Sequence, residues 1–65
     1  MRLQINGDCQ SVQIQTLEEL LNHLGHEPHS VATAVNKDFV SIENRSTCLL
    51  EENDCVDIIA PMAGG

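Results

Sequence analysis

The sequence predicts an α+β domain in which one helix packs on one mixed sheet of about five strands, in the order ββαβββ. Three observations carry this. Asn6-Gly7 stands between two runs that alternate apolar and polar residues, the signature of a tight hairpin. Leu17, Leu20, Leu21 and Leu24 recur at i, i+3, i+4 and i+7, which is one apolar stripe on a helix. The other apolar runs are short and bounded by turn residues, as strands are.

Taken in order, Leu3 and Ile5 alternate with Arg2, Gln4 and Asn6 and form the first strand. Asn6-Gly7-Asp8 is the turn. Val12 and Ile14, alternating with Ser11 and Gln13, read as the second strand. Thr16 is a good N-cap, and Glu19 three residues later completes a capping box. Glu18 and Glu19 suit the positive end of the helix, and Gly25 stops it. His26 to Ser30 is a polar connection. Val31-Ala32-Thr33-Ala34-Val35 is apolar on both faces, as in a covered central strand. Asn36-Lys37-Asp38 turns the chain into a short strand, Phe39-Val40-Ser41. Ile42 to Cys48 reads as an irregular crossing, with Leu49 and Leu50 plugging the edge of the core. Glu51-Glu52-Asn53-Asp54 is a solvated acidic turn before a last strand over Cys55 to Ile59. The folded domain is expected over residues 1–60, with residues 61–65 as a flexible tail.

Composition narrows the function. Sixty-five residues make one domain with little room for a deep catalytic cleft. A net charge of −7 argues against nucleic acid and for a partner with a basic surface. No apolar run is long enough to cross a membrane, and Met1-Arg2-Leu3-Gln4 does not read as a signal peptide. Cys9, Cys48 and Cys55 form neither a CxxC pair nor an even set, so the reading is a reducing cytoplasm, with Cys9 and Cys55 as small buried thiols. No cysteine has an evident base beside it, and no catalytic residue is assigned. His23, His26 and His29 recur every third residue, but Gly25 and Pro28 break any common face, so no metal site is expected. No glycine-rich phosphate loop precedes a helix, so no cofactor is expected to bind the chain itself.

The last residues, Pro61-Met62-Ala63-Gly64-Gly65, carry the chemistry. A carboxylate becomes an acyl donor only after activation, typically by attack on the α-phosphate of ATP. An enzyme doing this to a protein tail must admit the tail through a narrow channel. Glycine lacks Cβ and lets other atoms approach its backbone closely. Ala63, Gly64 and Gly65 make a thin lead, and Pro61 stiffens its root.

Together the hairpin, the leucine-faced helix after Thr16, Ala34-Val35-Asn36, Phe39-Val40, Asp54-Cys55-Val56-Asp57-Ile58-Ile59 and Gly64-Gly65 resemble the ThiS-type sulfur carriers of thiamine biosynthesis over essentially the whole chain. The resemblance implies a ubiquitin-like β-grasp fold with the last strand parallel to the first. It implies that a ThiF-like enzyme uses ATP and Mg2+ to adenylate the Gly65 carboxylate. Sulfur originating in cysteine, relayed by a desulfurase, would convert it to a thiocarboxylate, and a ThiG-like thiazole synthase would receive the sulfur. The chain would then be a co-substrate and not an enzyme. On this resemblance Gly65 would be the sulfur-bearing residue, Gly64 its thin neighbour, and Met62-Ala63 the threaded approach. Phe39, Asp57 and Ile59 are candidates for the partner surface, from their nearness to the tail. Three positions depart from the family pattern. Val40-Ser41-Ile42 stands where Val-Pro-Arg is common, Glu52-Asn53-Asp54 where Gly-Asp often turns, and Ala63 where glycine often precedes Gly-Gly. Alternatives are a carrier for another product such as molybdopterin, a ubiquitin-like protein modifier, and a β-grasp binding module that never uses its tail.

Overall fold

The computed structural model describes residues 1–60, so the expected tail, including Met62, Ala63, Gly64 and Gly65, lies outside the described residues. The strands are β1 (Arg2–Ile5), β2 (Asp8–Ser11), β3 (Ala32–Val35), β4 (Asp38–Val40) and β5 (Cys55–Ile59), with one helix, α1 (Leu17–Leu24), after β2. The sheet order is β2-β1-β5-β3-β4. β5 lies parallel to β1 and antiparallel to β3, and the two hairpins are antiparallel. This is the expected ββαβββ sheet with one helix across it.

The hairpin at Asn6-Gly7 forms as read, but its second strand does not. Ile5 pairs with Asp8 across a two-residue loop, and β2 ends at Ser11. All four β2 residues are exposed, so the strand has no apolar alternation to detect. Val12 instead turns into the core beyond the strand, and its N–H donates to the Met1 carbonyl at 2.8 Å.

The helix follows its sequence signals. Glu19 N–H donates to Thr16 Oγ1 at 3.2 Å, while the Glu19 carboxylate accepts from Gln15 N–H at 2.8 Å, one residue before the cap. At the other end Gly25 is left-handed at φ 81°. Its N–H donates to the Asn22 carbonyl at 3.2 Å, and His26 N–H to the Leu21 carbonyl at 3.0 Å. These are the paired bonds of a Schellman stop. Leu17, Leu20 and Leu21 are buried and meet Leu3, Ile5, Val12, Val31, Leu50, Val56 and Ile58 in one core. Truncating Leu20 removes a fully buried side chain, at a cost of about 2–5 kcal/mol.

Only one face of the sheet is covered. Thr33 is buried on the helix side, whereas Ala32 and Ala34 are half-buried on the other, so β3 is not covered on both faces. Leu50 plugs the core, but Leu49 is 71% exposed. The crossing after β4 is a 3₁₀ segment over Ile42–Thr47. In the acidic turn Asn53 is left-handed at φ 70°, as asparagine tolerates. The turn is more than solvated surface: Glu52 and Asp54 accept from the N–H groups of Arg2 and Glu51 at 2.9 and 2.8 Å.

Candidate functional site

The uncovered face of the sheet brings the three candidate docking residues together. Ala34 is the register partner of Phe39 on β4 and of Asp57 on β5, so these three form one row. Ile59, two residues beyond Asp57, points to the same side and is abreast of Ala32. Phe39 is 73% exposed and Ile59 61% exposed, with the small Ala32 and Ala34 between them. The result is a shallow apolar trough with one half-buried carboxylate, Asp57, in its floor. Large apolar side chains held in water on a rigid sheet are the anatomy of a docking surface. The strand that presents Asp57 and Ile59 is also the one that leads to the tail.

The same face overturns the reading of two cysteines. Gln4 pairs with Cys9 on one side and Cys55 on the other, which places both thiols in one row on the open face. Both are exposed and not buried. Period-two alternation tells which residues share a face, but not which face the helix covers. Arg2 donates to Cys9 Sγ at 3.3 Å, and this contact is the main cause holding the guanidinium more firmly protonated. Cys48 is half-buried, and desolvation, helped by the Asp54 charge, pushes its thiol pKa up. Among the described residues no His, Cys, Asp and Glu side chains gather into a metal-binding group, and His23, His26 and His29 do not converge.

Sequence reading missed Arg45. It is 3% exposed and has no carboxylate partner among the described residues. Its Nε donates to Thr33 Oγ1 at 3.1 Å, Nη1 to the Pro28 carbonyl at 2.7 Å and Nη2 to the Val31 carbonyl at 2.7 Å. Thr33 Oγ1 donates in turn to the Val40 carbonyl at 2.9 Å. The side chain thus ties the 3₁₀ segment, the loop after the helix and the β3–β4 hairpin from beneath the trough. Nothing in the local sequence distinguishes it from a solvated cation. Met1, Gln15, Leu49, Leu50 and Glu51 line an open depression of about 560 Å³. No helix among the described residues is long and apolar enough to cross a membrane.

A mixed sheet grasping one helix, with the first and last strands parallel at its centre, defines the ubiquitin-like β-grasp class. The crystal structure of the thiamine biosynthesis protein ThiS from Geobacter metallireducens superposes on it with a TM-score of 0.85 at 25% identity, covering 100% of both chains. The solution structure of a thiamine biosynthesis protein from the same organism gives 0.82, also at 25% identity, over 100% of this chain and 88% of that one. A thiazole synthase of Magnetococcus marinus is 33% identical over 66 residues, which take in 100% of this chain and 20% of that protein. The chain therefore spans about a fifth of the length of that relative. The ThiS family model matches residues 3–65, and the chain belongs to the ThiS family.

Proposed function

We propose that this chain is a sulfur carrier of thiamine biosynthesis, loaded at the Gly65 carboxylate. The observation that carries the reading is the extent of the family match. It runs through the folded domain and on to Gly65, so the fold and the Gly64-Gly65 end are matched as one unit.

In this reading a ThiF-like partner binds ATP and Mg2+. One Gly65 carboxylate oxygen attacks the α-phosphorus, pyrophosphate leaves, and an acyl adenylate remains. A persulfide sulfur, delivered from cysteine by a desulfurase relay, attacks the acyl carbon and AMP leaves with the bridging oxygen. A thiol then attacks the resulting acyl disulfide, is itself oxidised into a disulfide, and releases the acyl-bound sulfur. The product is a thiocarboxylate, in which one oxygen has been exchanged for sulfur. A ThiG-like thiazole synthase takes that sulfur, and the carboxylate returns. The chain supplies no catalytic group to these steps. Its fold presents the tail, with Gly64 as its thin neighbour and Met62-Ala63 as the threaded approach. The trough of Phe39, Asp57 and Ile59 is the surface by which partners recognise it, and the charge of −7 suits a basic partner face and speeds the encounter. Carriage of sulfur in covalent form suits the cytoplasm, where free sulfide need not accumulate.

The Magnetococcus relative supports the thiazole branch. A stretch similar to this whole chain lies inside a longer polypeptide named thiazole synthase. Joining two modules raises the effective concentration of one at the other, which is useful when the two must meet. The test is the intact mass after incubation with the activating enzyme, ATP, Mg2+ and a sulfur donor. The expected result is the gain of one sulfur for one oxygen, abolished by deleting Gly65. No gain with an enzyme that loads another ThiS protein would overturn the reading.

A further inference from the structure

β5 is longer than the strand beside it. Its pairing with β1 ends at Ile5↔Val56, where β1 turns away through Asn6-Gly7. On its other side β5 stays paired with β3 as far as Ile59↔Ala32. The hydrogen bonds show which peptide groups face which neighbour. Gln4 N–H and Asn6 N–H donate to the carbonyls of Asp54 and Val56, both at 2.9 Å. Even-numbered residues of β5 thus point to the β1 side, and odd-numbered ones to β3. Past Val56 the place of the missing strand is taken by one side chain, as Asn6 Oδ1 accepts from Ile58 N–H at 2.8 Å. The Ile58 carbonyl and the Ala60 N–H come next on that side. Among the described residues neither has a hydrogen-bond partner.

An acceptor followed by a donor at strand spacing is met by an extended backbone and not by a helix or a small ion. We propose that the open side of β5 is a docking edge for an extended segment of the thiazole-synthase partner, which lies in line with β1 and takes up the Ile58 carbonyl and Ala60 N–H. The proposal rests on the carrier reading above. The occupant's chemistry follows from its surroundings. A side chain abreast of Ile59 lies on the open face, so an apolar one there covers Ile59, which is 61% exposed. The carboxylate of Asp57 and the net charge of −7 favour a segment that also carries a cation. A second copy of this chain is disfavoured by the same charge, and the opening admits only a short ladder. The edge lies at the root of the tail, so a strand added there fixes the direction in which the tail leaves the domain.

Cys55 allows a test at the level of one atom. A synthetic 55–65 peptide ligated to a 1–54 thioester regenerates the native chain, and the peptide can carry Ala60→N-methylalanine. The variant loses the donor on the open side and leaves the bonds to β3 untouched. Its melting temperature is expected to match the all-amide chain, because Ala60 N–H has no partner among the described residues. Its affinity for a thiazole synthase is expected to fall about tenfold, the loss of one interfacial backbone bond. Recombinant Ala60→Pro repeats the loss, and Ala60→Ser, which keeps the N–H, binds like the parent. Binding of the methylated chain within about twofold of the parent overturns the docking edge and leaves the carrier reading intact. A change confined to self-association also overturns it. If the all-amide chain binds no thiazole synthase, the carrier reading fails and the docking edge falls with it.

Discussion

The two hairpin turns solve one problem with different residues. Asn6-Gly7 and Asn36-Lys37 each join strands through a two-residue loop, and all four residues have positive φ: 51° and 86° in the first, 51° and 73° in the second. This is the type I′ turn, whose twist matches that of the strands it joins. Each asparagine also reaches β5, from opposite sides. Asn6 Oδ1 accepts from Ile58 N–H at 2.8 Å, and Asn36 Oδ1 accepts from Cys55 N–H at 3.0 Å. Asn36 further donates to the Asp54 carboxylate at 3.1 Å, and its N–H to the Cys55 carbonyl at 2.7 Å. The first turn has glycine at its second position, which takes φ > 0 without penalty. The second has lysine, and more bonds around its asparagine to hold the strained backbone. The comparison shows that a left-handed residue is tolerated where its neighbour is anchored.

The largest test sets the two asparagines against each other. Asn6→Ala strips the partner from the N–H of Ile58 in a part-buried bond, which water replaces less readily than the exposed bond to Cys55. Asn36→Ala removes two side-chain bonds, but Cys55 is exposed and its N–H is rehydrated. Both variants put alanine at φ 51°, so that penalty cancels in the difference. The expected losses are about 3 kcal/mol for Asn6→Ala and about 2 kcal/mol for Asn36→Ala. Urea denaturation of both at equal m-value measures this. Equal losses, or a reversed order, would show that the count of bonds and not the burial of the donor decides the cost.

Next in size is Gly7→Ala. A Cβ at Gly7 meets nothing within 4 Å, so the change probes backbone strain at φ +86° alone. The expected loss is about 1 kcal/mol, a fall of about 4–8 °C in the melting midpoint for a small domain. Thermal unfolding followed by circular dichroism checks it. A loss several-fold larger would mean that the turn's geometry, and with it the Asn6–Ile58 bond, had moved.

The same pair of turns shows what the sequence made legible. Asn-Gly names its own turn type, because the two residues that tolerate φ > 0 stand together. Asn36-Lys37 was readable as a turn only from the strands around it. Helix α1 was readable to its caps, since Thr16, Glu19 and Gly25 act locally on the chain. β2 was not, because a fully exposed edge strand carries no apolar period, and Val12 and Ile14 imitated one three residues later. The exposure of Cys9 and Cys55 was hidden for a related reason. Alternation groups residues by face, and the choice of covered face is made by a helix elsewhere in the chain. Phe39, Asp57 and Ile59 did fall together, because register alone puts them there. Arg45 could not be found, since its three acceptors are two backbone carbonyls and one hydroxyl spread over Pro28 to Thr33, with no carboxylate whose spacing would signal a pair.

The smallest effect, and the one of opposite sign, is Lys37→Gly. Lysine at φ 73° carries the left-handed penalty of about 1–2 kcal/mol. Glycine relieves it but widens the unfolded ensemble, which returns roughly 0.5–1 kcal/mol of that gain. The net expectation is a stabilisation of about 0.5 kcal/mol, read as a higher urea midpoint at unchanged m-value. The bonds from Asn36 to Cys55 and Asp54 should persist, since they belong to the residue before. A double variant, Asn36→Ala with Lys37→Gly, sharpens the point. If anchoring by Asn36 is what holds lysine in the left-handed region, glycine at 37 should recover more stability in the Asn36→Ala background than in the parent. Equal gains in both backgrounds would mean that the two residues act independently and that the lysine is held by the strand pairing alone.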